Sequence, residues 1–152
     1  MESSGPSRDT AWAMSEQNVE IVRRGLEELQ SGVERGEPGA AFDLGVVADD
    51  FEWILAGPFE GRSVWRGREG WVEFMRVWTE QFEGWSIQVE RLIDAGDDRV
   101  VALTRQTATG KGSGVPVEWD DATVSELKDG RIVRATNYNS HAEALEAAGI
   151  SE

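Results

Sequence analysis

Cysteine is absent from the chain. That rules out disulfide cross-links and thiolate catalysis, and it removes the commonest structural zinc ligand. Histidine occurs once, at His141. A metal site would therefore need carboxylates, and no Ser/His/Asp spacing accompanies the single imidazole. We expect neither a metal nor a cofactor. Basic residues are few: 15 Lys and Arg stand against 29 Asp and Glu, for a net charge of −14. Such a surface repels nucleic-acid phosphates and anionic lipid, and no basic patch with interleaved aromatics interrupts it. No apolar run approaches the ~18 residues of a membrane-spanning helix. The opening MESSGPSRDTAWA has no basic segment followed by an apolar one, so it does not read as a secretory signal. A cytoplasmic location is the expectation.

What the chain has in excess is tryptophan. Seven occur in 152 residues: Trp12, Trp53, Trp65, Trp71, Trp78, Trp85 and Trp119. An indole is bulky and carries one N–H that needs a partner when buried. So many in one small domain build either a thick core or the wall of an apolar cavity.

The length favours one domain with a sizeable core. Residues 1–13 are polar, with Gly and Pro, and are expected to form a disordered tail ahead of a domain spanning 14–152. Ser15 can cap a helix in which Val19, Val22, Leu26, Leu29 and Val33 form one stripe, ended by Gly32 or Gly36. Pro38 suits the start of a short second helix running to about Val47. FEWIL (51–55) reads as a strand with Phe51, Trp53 and Leu55 on one face. Residues 56–67 are loop-like, with room for one short strand. From Arg68 to Glu83, Trp71, Phe74, Met75, Trp78 and Phe82 share a helical stripe.

Residues 84–140 then alternate apolar and polar, broken at Asp94–Asp97, Gly110–Gly114 and Lys128–Arg131. That is the pattern of a four-stranded antiparallel meander. The Gly-rich break precedes no helix, so it is a hairpin turn and not a phosphate loop. A last helix follows, with Ser140 and Glu143 as a capping box, Gly149 in the left-handed position after it and Ile150 making the accompanying apolar contact. The fold class is α+β: a sheet with one apolar face, covered by helices.

The segments WRGREGWVEFMRVW (65–78), IDAGDDRVVAL (93–103), GKGSGV (110–115), LKDGRIVRATNY (127–138) and AEALEAAGI (142–150) resemble the nuclear transport factor 2-like superfamily, and within it the SnoaL-like, polyketide cyclase-like branch. The resemblance covers about Ser15 to Ile150. It implies a cone-shaped curved antiparallel sheet wrapped around N-terminal helices, with a pocket at the open end. Members include isomerases, cyclases, epoxide hydrolases, dehydratases and non-catalytic binding domains, so the fold leaves function open. The catalytic patterns transfer poorly. Leu55 stands where the steroid isomerases place a base Asp, and Leu103 and Thr107 flank Arg105 where the epoxide hydrolases place Asp.

Register locates the candidate site. A two-residue Asp129-Gly130 turn sets Lys128 opposite Arg131 and, counting back, Asp121 opposite Tyr138. A symmetric pairing across the Gly-rich turn sets Arg105 opposite Trp119. On that register Arg105, Asp121 and Tyr138 meet on the concave face among apolar neighbours. They would either orient a ligand or a catalytic water, or form a structural ion pair. Trp53, Trp65, Phe74, Trp78 and Trp119 are the expected ligand-contacting residues. His141 is expected to be exposed near the last helix start. Ala102, Ala122, Val124, Val133 and Ala135 fall on the outer face, a patch that would be covered in a homodimer.

Three readings follow. The first is a Trp-rich pocket for a small apolar or aromatic molecule, with or without turnover. The second is an acid–base isomerase, cyclase or hydrolase using Arg105, Asp121 and Tyr138. The third is a non-catalytic dimeric association module.

Overall fold

The computed structural model describes residues 8–56 and 63–151, with side chains from Ser15 onward. The first helix, α1, runs Arg8–Arg35, so the backbone is already helical through residues 8–13 and Ser15 lies inside the helix instead of capping it. Residues 1–7 of the expected tail lie outside the described residues. The apolar stripe of α1 faces the sheet: Val22 is buried, and Val19, Leu26, Leu29 and Val33 pack against the same core. Gly36, at φ 79°, ends the helix. Gly32 lies within it, and a Cβ there would sit 2.5 Å from the Glu37 carbonyl oxygen and 2.8 Å from the Ala40 Cβ, so the close approach of the α1–α2 connection requires glycine.

The second helix is much shorter than its sequence pattern. It is one turn, α2, Ala40–Asp43. The strand β1 takes up the chain from Val47 to Leu55, with Val47, Ala48 and Phe51 buried. A short strand β2, Val64–Arg66, pairs back on β1. The third helix, α3, spans Gly67–Gln81 and gives way directly to β3, Phe82–Gly96. Phe82 is thus the first residue of a strand and not the end of the helical stripe. The meander continues with β4 (Arg99–Gly110), β5 (Pro116–Lys128) and β6 (Arg131–Tyr138), and α4 covers His141–Ala147. As expected, the Ser140 side chain caps α4, accepting from the Glu143 N–H at 3.1 Å. Gly149 (φ 75°) and Ile150 close its far end, their N–H groups donating to the carbonyls of Glu146 and Leu145.

The six strands form one curved, unclosed sheet in the order β2-β1-β6-β5-β4-β3, in which β1 runs parallel to β6 and every other neighbour is antiparallel. The concave face is filled by α1, α2 and α3 around Phe51, Trp71, Met75 and Ile132. Met75 is almost wholly inaccessible, at 1 % exposure. Trp71 makes edge contacts with Phe51 and Trp53 and donates its N–H to the Pro38 carbonyl at 2.8 Å. Removing so large a buried ring costs about 3–5 kcal/mol. The opposite face carries a smaller core, where Val101, Leu103, Ala122 and Val124 lie under Ala144, Leu145 and Ala148 of α4.

Two register details correct the sequence reading. Lys128 does pair with Arg131 across Asp129-Gly130, both at positive φ (52° and 76°), as a two-residue turn requires. Past Leu127–Ile132, however, β6 holds one extra residue. Glu126 pairs with Arg134, and Ala122, not Asp121, stands opposite Tyr138. Val133 is the bulged residue. Across the Gly-rich turn, Arg105 pairs with Asp120, and Gln106 with Trp119. A one-residue slip exchanges the two faces of a strand. Ala102 and Ala135 therefore join the concave core, while Ala122 and Val124 are covered by α4. The apolar outer patch that motivated the homodimer is dispersed by the same slips.

The outermost strand β3 would expose unpaired backbone groups along its free edge. Gln30 of α1 covers two of them: its amide nitrogen donates to the Trp85 carbonyl at 3.0 Å, and its oxygen accepts from the Ile87 N–H at 2.7 Å. We predict that Gln30→Ala lowers stability by about 1–3 kcal/mol, since both groups lose their partner in a part-buried place. A melting curve checks the size. Hydrogen exchange should show faster exchange at the Ile87 amide, and unchanged exchange there would contradict the role.

Candidate functional site

A cavity of about 320 Å³ opens between α3 and the concave face. Its walls hold every tryptophan of the chain except Trp12, together with Phe74, Leu55 and Met75. The local reason is periodicity on one helix and three strands. Trp71, Phe74 and Trp78 project from one stripe of α3, Trp53 and Leu55 alternate inward from β1, and Trp85 and Trp119 come from β3 and β5. The rings form a continuous chain. Trp53 meets Phe74 at 5.6 Å between centroids, Trp65 meets Phe74 at 5.5 Å, and Trp78 meets Phe82 at 4.8 Å and Trp119 at 5.8 Å. All five residues expected to contact a ligand, Trp53, Trp65, Phe74, Trp78 and Trp119, lie on this wall.

The polar end is narrow and specific. Asp121 projects inward from β5, as the sequence register placed it, but its expected companions do not. Arg105 lies on the outer face, paired with Glu118 and with Asp120 at 2.9 Å. Tyr138 packs on the outer face beside α4. Both are displaced by the slips described above. The residues that do reach Asp121 are Gln106 and Asn137, which sequence reasoning had assigned to the outer face. The Gln106 side-chain N–H donates to Asp121 Oδ2 at 2.8 Å, and that of Asn137 donates to the same oxygen at 2.7 Å. Each amide is itself held. Trp85 donates its indole N–H to Gln106 Oε1 at 2.8 Å, and Asn137 also reaches the Ala122 carbonyl at 3.4 Å. Flipping either amide would turn an oxygen toward the carboxylate.

Two opposing effects act on the Asp121 proton. Burial disfavours the charged form, and the amide donors favour it. Burial is the larger, and the carboxyl is pushed up to about 6. From α4, His141 adds a smaller electrostatic effect in the opposite direction. His141 is not the exposed residue expected from sequence. It is half-buried, and its Nε2 donates to the Thr104 carbonyl at 2.9 Å, which docks the start of α4 on β4. Among the described residues, Asp121 is the one charged side chain lining the cavity. Also among them, no group of three or more His, Asp or Glu is placed to hold a metal ion.

Two wall donors stand out. The indole N–H groups of Trp53 and Trp78 are buried and find no acceptor among the described residues. Buried donors ordinarily have one, so an acceptor atom on a bound molecule would complete them. A second, smaller cavity of about 90 Å³ lies between α1 and the sheet, and Trp53 and Trp71 line both.

The raised Asp121 proton affinity has a consequence for stability. A group whose folded value exceeds its unfolded one stabilises the fold below the unfolded value, and that contribution is lost as pH rises through the folded value. The window here runs from the ordinary 3.8 to about 6. Asp121→Asn keeps the shape without the charge, and Arg105 keeps both of its acidic partners. We predict that the melting temperature of the variant, relative to the parent, rises by roughly a few degrees across that window. A difference that stays flat with pH would show the carboxyl to be solvated.

Comparison with known proteins bears on the fold and the family. No curated protein matches the chain. Among solved structures, a putative SnoaL-like polyketide cyclase from Jannaschia sp. CCS1 superposes with a TM-score of 0.70 at 22% identity, covering 99% of this chain and 100% of that one. A nuclear transport factor 2-like protein from Burkholderia pseudomallei gives 0.65 at 20% identity, over 86% and 95% of the two chains. A protein of ketosteroid isomerase-like fold from Catenulispora acidiphila, in complex with trimethylamine, gives 0.63 at 19% identity, over 87% and 94%. At these identities the likeness is one of fold. The SnoaL-like domain profile matches residues 22–135, three quarters of the chain and nearly all of the sheet that carries Gln106, Trp119 and Asp121, and the chain belongs to that SnoaL-like domain family.

Proposed function

We propose that the cavity binds a small aromatic or largely apolar molecule and that Asp121 exchanges a proton with it. The observation carrying this reading is a part-buried carboxyl, fixed by two oriented amides, at the polar end of an aromatic-walled space. Ligand sites have this composition: apolar walls with a few placed polar groups. A carboxyl whose proton affinity lies near neutrality can take a proton from a bound molecule and return it elsewhere. That suits isomerisation or ring closure, in which a proton leaves one atom and another atom gains one. Gln106 and Asn137 would steady the carboxylate after it has given the proton up. The unfilled donors of Trp53 and Trp78 favour a ligand that carries an oxygen acceptor. The polyketide cyclase description borne by the Jannaschia relative supports a reaction of this class.

The non-catalytic reading has less support, because an association module has no use for an inward carboxyl held by two amides. Self-association through the outer face remains a separate proposal with a changed basis. The uncovered part of that face carries Arg105, Glu118, Asp120 and Arg134, so two copies would meet through charges and part at high salt. Sedimentation at low and high salt checks this.

Native mass spectrometry of the purified protein should show a retained small molecule, and quenching of tryptophan fluorescence should report its rebinding. We predict that Trp119→Ala weakens that binding by about tenfold or more, as loss of a central aromatic contact does. Turnover of the identified compound should follow a pH profile with an inflection near 6, governed by Asp121 with His141 as its ionisable neighbour, and Asp121→Asn should lower kcat by roughly a hundredfold or more. Binding without any turnover would confine the site to carriage. A profile with no inflection near that pH would remove Asp121 as the acid–base group.

A further inference from the structure

Resting on the small-molecule reading above, the geometry points to a more definite ligand class: we infer that the cavity selects an organic cation, an aromatic ammonium, with Asp121 as its counter-charge and the Trp119–Trp78–Trp85 wall around its charged head.

Three observations converge. The first is an unbalanced charge. Asp121 is part-buried, yet its contacts are neutral amides, and the arginine nearest in sequence register, Arg105, is committed to Glu118 and Asp120 on the other face. A carboxylate taken out of water is costly unless an opposite charge compensates it. Among the described residues lining the cavity no Lys, Arg or His supplies one, and His141, acting from α4, is the weakest of the influences on Asp121, so a compensating charge inside the cavity is left to the ligand.

The second is the wall beside it. Trp119 stands two residues from Asp121 on the same face of β5, opposite Gln106. Trp78 meets Trp119 at 5.8 Å and 73°, and meets Trp85 at 6.4 Å and 77°. Rings set nearly at right angles enclose a corner on more than one side. The quadrupole of an indole attracts a cation lying over its face, most strongly where water is excluded. An anion gains nothing from the same surface. The third observation is the field of the whole molecule: a net charge of −14 draws cations toward the mouth and turns anions away. The remaining lining, Phe74, Trp65 and Leu55, is apolar and suits an aryl body attached to the charged head.

The test compares two molecules of one shape. Benzyltrimethylammonium and its carbon isostere neopentylbenzene differ in charge alone. Full-length protein at about pH 7.5, where a carboxyl with a value near 6 is ionised, is titrated with each while tryptophan fluorescence is followed. The cation is expected to bind at least about tenfold more tightly. Asp121→Asn should bring the two affinities within about threefold, chiefly by weakening the cation. Trp119→Leu should weaken the cation more than the isostere, and it keeps the test open should Asp121→Asn fail to give a parent-like near-ultraviolet spectrum. Equal binding, or tighter binding of the isostere, overturns the cation assignment while leaving the apolar pocket standing. Retention of the full preference in a folded Asp121→Asn variant overturns Asp121 as the counter-charge. Binding of neither compound at millimolar concentration overturns both this inference and the pocket reading.

Discussion

A curved sheet leaves its concave side chains in water unless helices fill the hollow. In this molecule the filling is done from two directions, and they meet at Trp71. Its ring stands edge-on to Phe51 and Trp53 of β1, lies against Phe74 of its own helix, and is tied by its N–H to the carbonyl of Pro38, just ahead of α2. One side chain therefore fixes the distance between α3, the sheet and the α1–α2 connection. On the side of α1, Val22, Leu29 and Ile132 narrow the space to the smaller cavity. On its other side the space between α3 and the strands is lined by rings but not filled by them. The cavity is the part of the cone that the helices do not reach, and Trp71 and Trp53 set where the filling stops.

The chain carries the aromatic wall past the end of the helix. With no loop between α3 and β3, Phe82 and Trp85 continue the surface begun by Phe74 and Trp78, and the one-residue register shift between Glu83 and Ser86 brings these two, three residues apart, to the same side. The same economy holds β3 in place. Its outer edge is met by the Gln30 amide, while its inner side presents Trp85 to Gln106. An edge strand, a helix side chain and the polar end of the site are thus linked through one residue, Trp85. Displacing β3 would release the amide that holds the carboxyl of Asp121.

Most of the architecture was legible in the sequence because it is written in periods. The stripe of α3, the alternation along the meander, the Asp129-Gly130 turn and the Ser140 cap all appear where their patterns put them. The errors have local causes. Pro38 resembled a helix start, but Gly45, at φ 82° with its N–H on the Phe42 carbonyl, ends that helix after one turn, and β1 takes over at Val47. The facing of β4 and β6 failed at two places where the chain gains a single residue, the bulge at Val133 and the asymmetric turn at Gly110–Val115. Neither leaves a compositional mark. Residues that change face by such a slip look as reasonable on either side: Arg105 finds acids on the outer face, and Asn137 finds one on the inner. Asp121, Phe74 and Trp78 were placed correctly because β5 gains no residue between the turn and the site and α3 runs without interruption, and Trp53 because the register shift of β1 lies before it, between Val47 and Glu52. Gln106 and Asn137 were missed because such an irregularity displaces each.

That difference alters the chemistry of the site. An Arg–Asp–Tyr cluster would have held the carboxylate permanently ionised, since a guanidinium at contact distance favours the charged form strongly. The structure sends the guanidinium to the far side of the sheet and puts two amides in its place. An amide can orient a carboxylate and ease its charge, but it brings no full positive charge to cancel it. Burial then wins, and the proton affinity settles near neutrality instead of far below it. The asymmetric turn at Gly110–Val115 turns the guanidinium away and the bulge at Val133 brings Asn137 in, so that neutral amides stand where an ion pair would have been. Among the described residues lining the cavity no cation meets Asp121, and that is the gap the proposed ammonium ligand would fill.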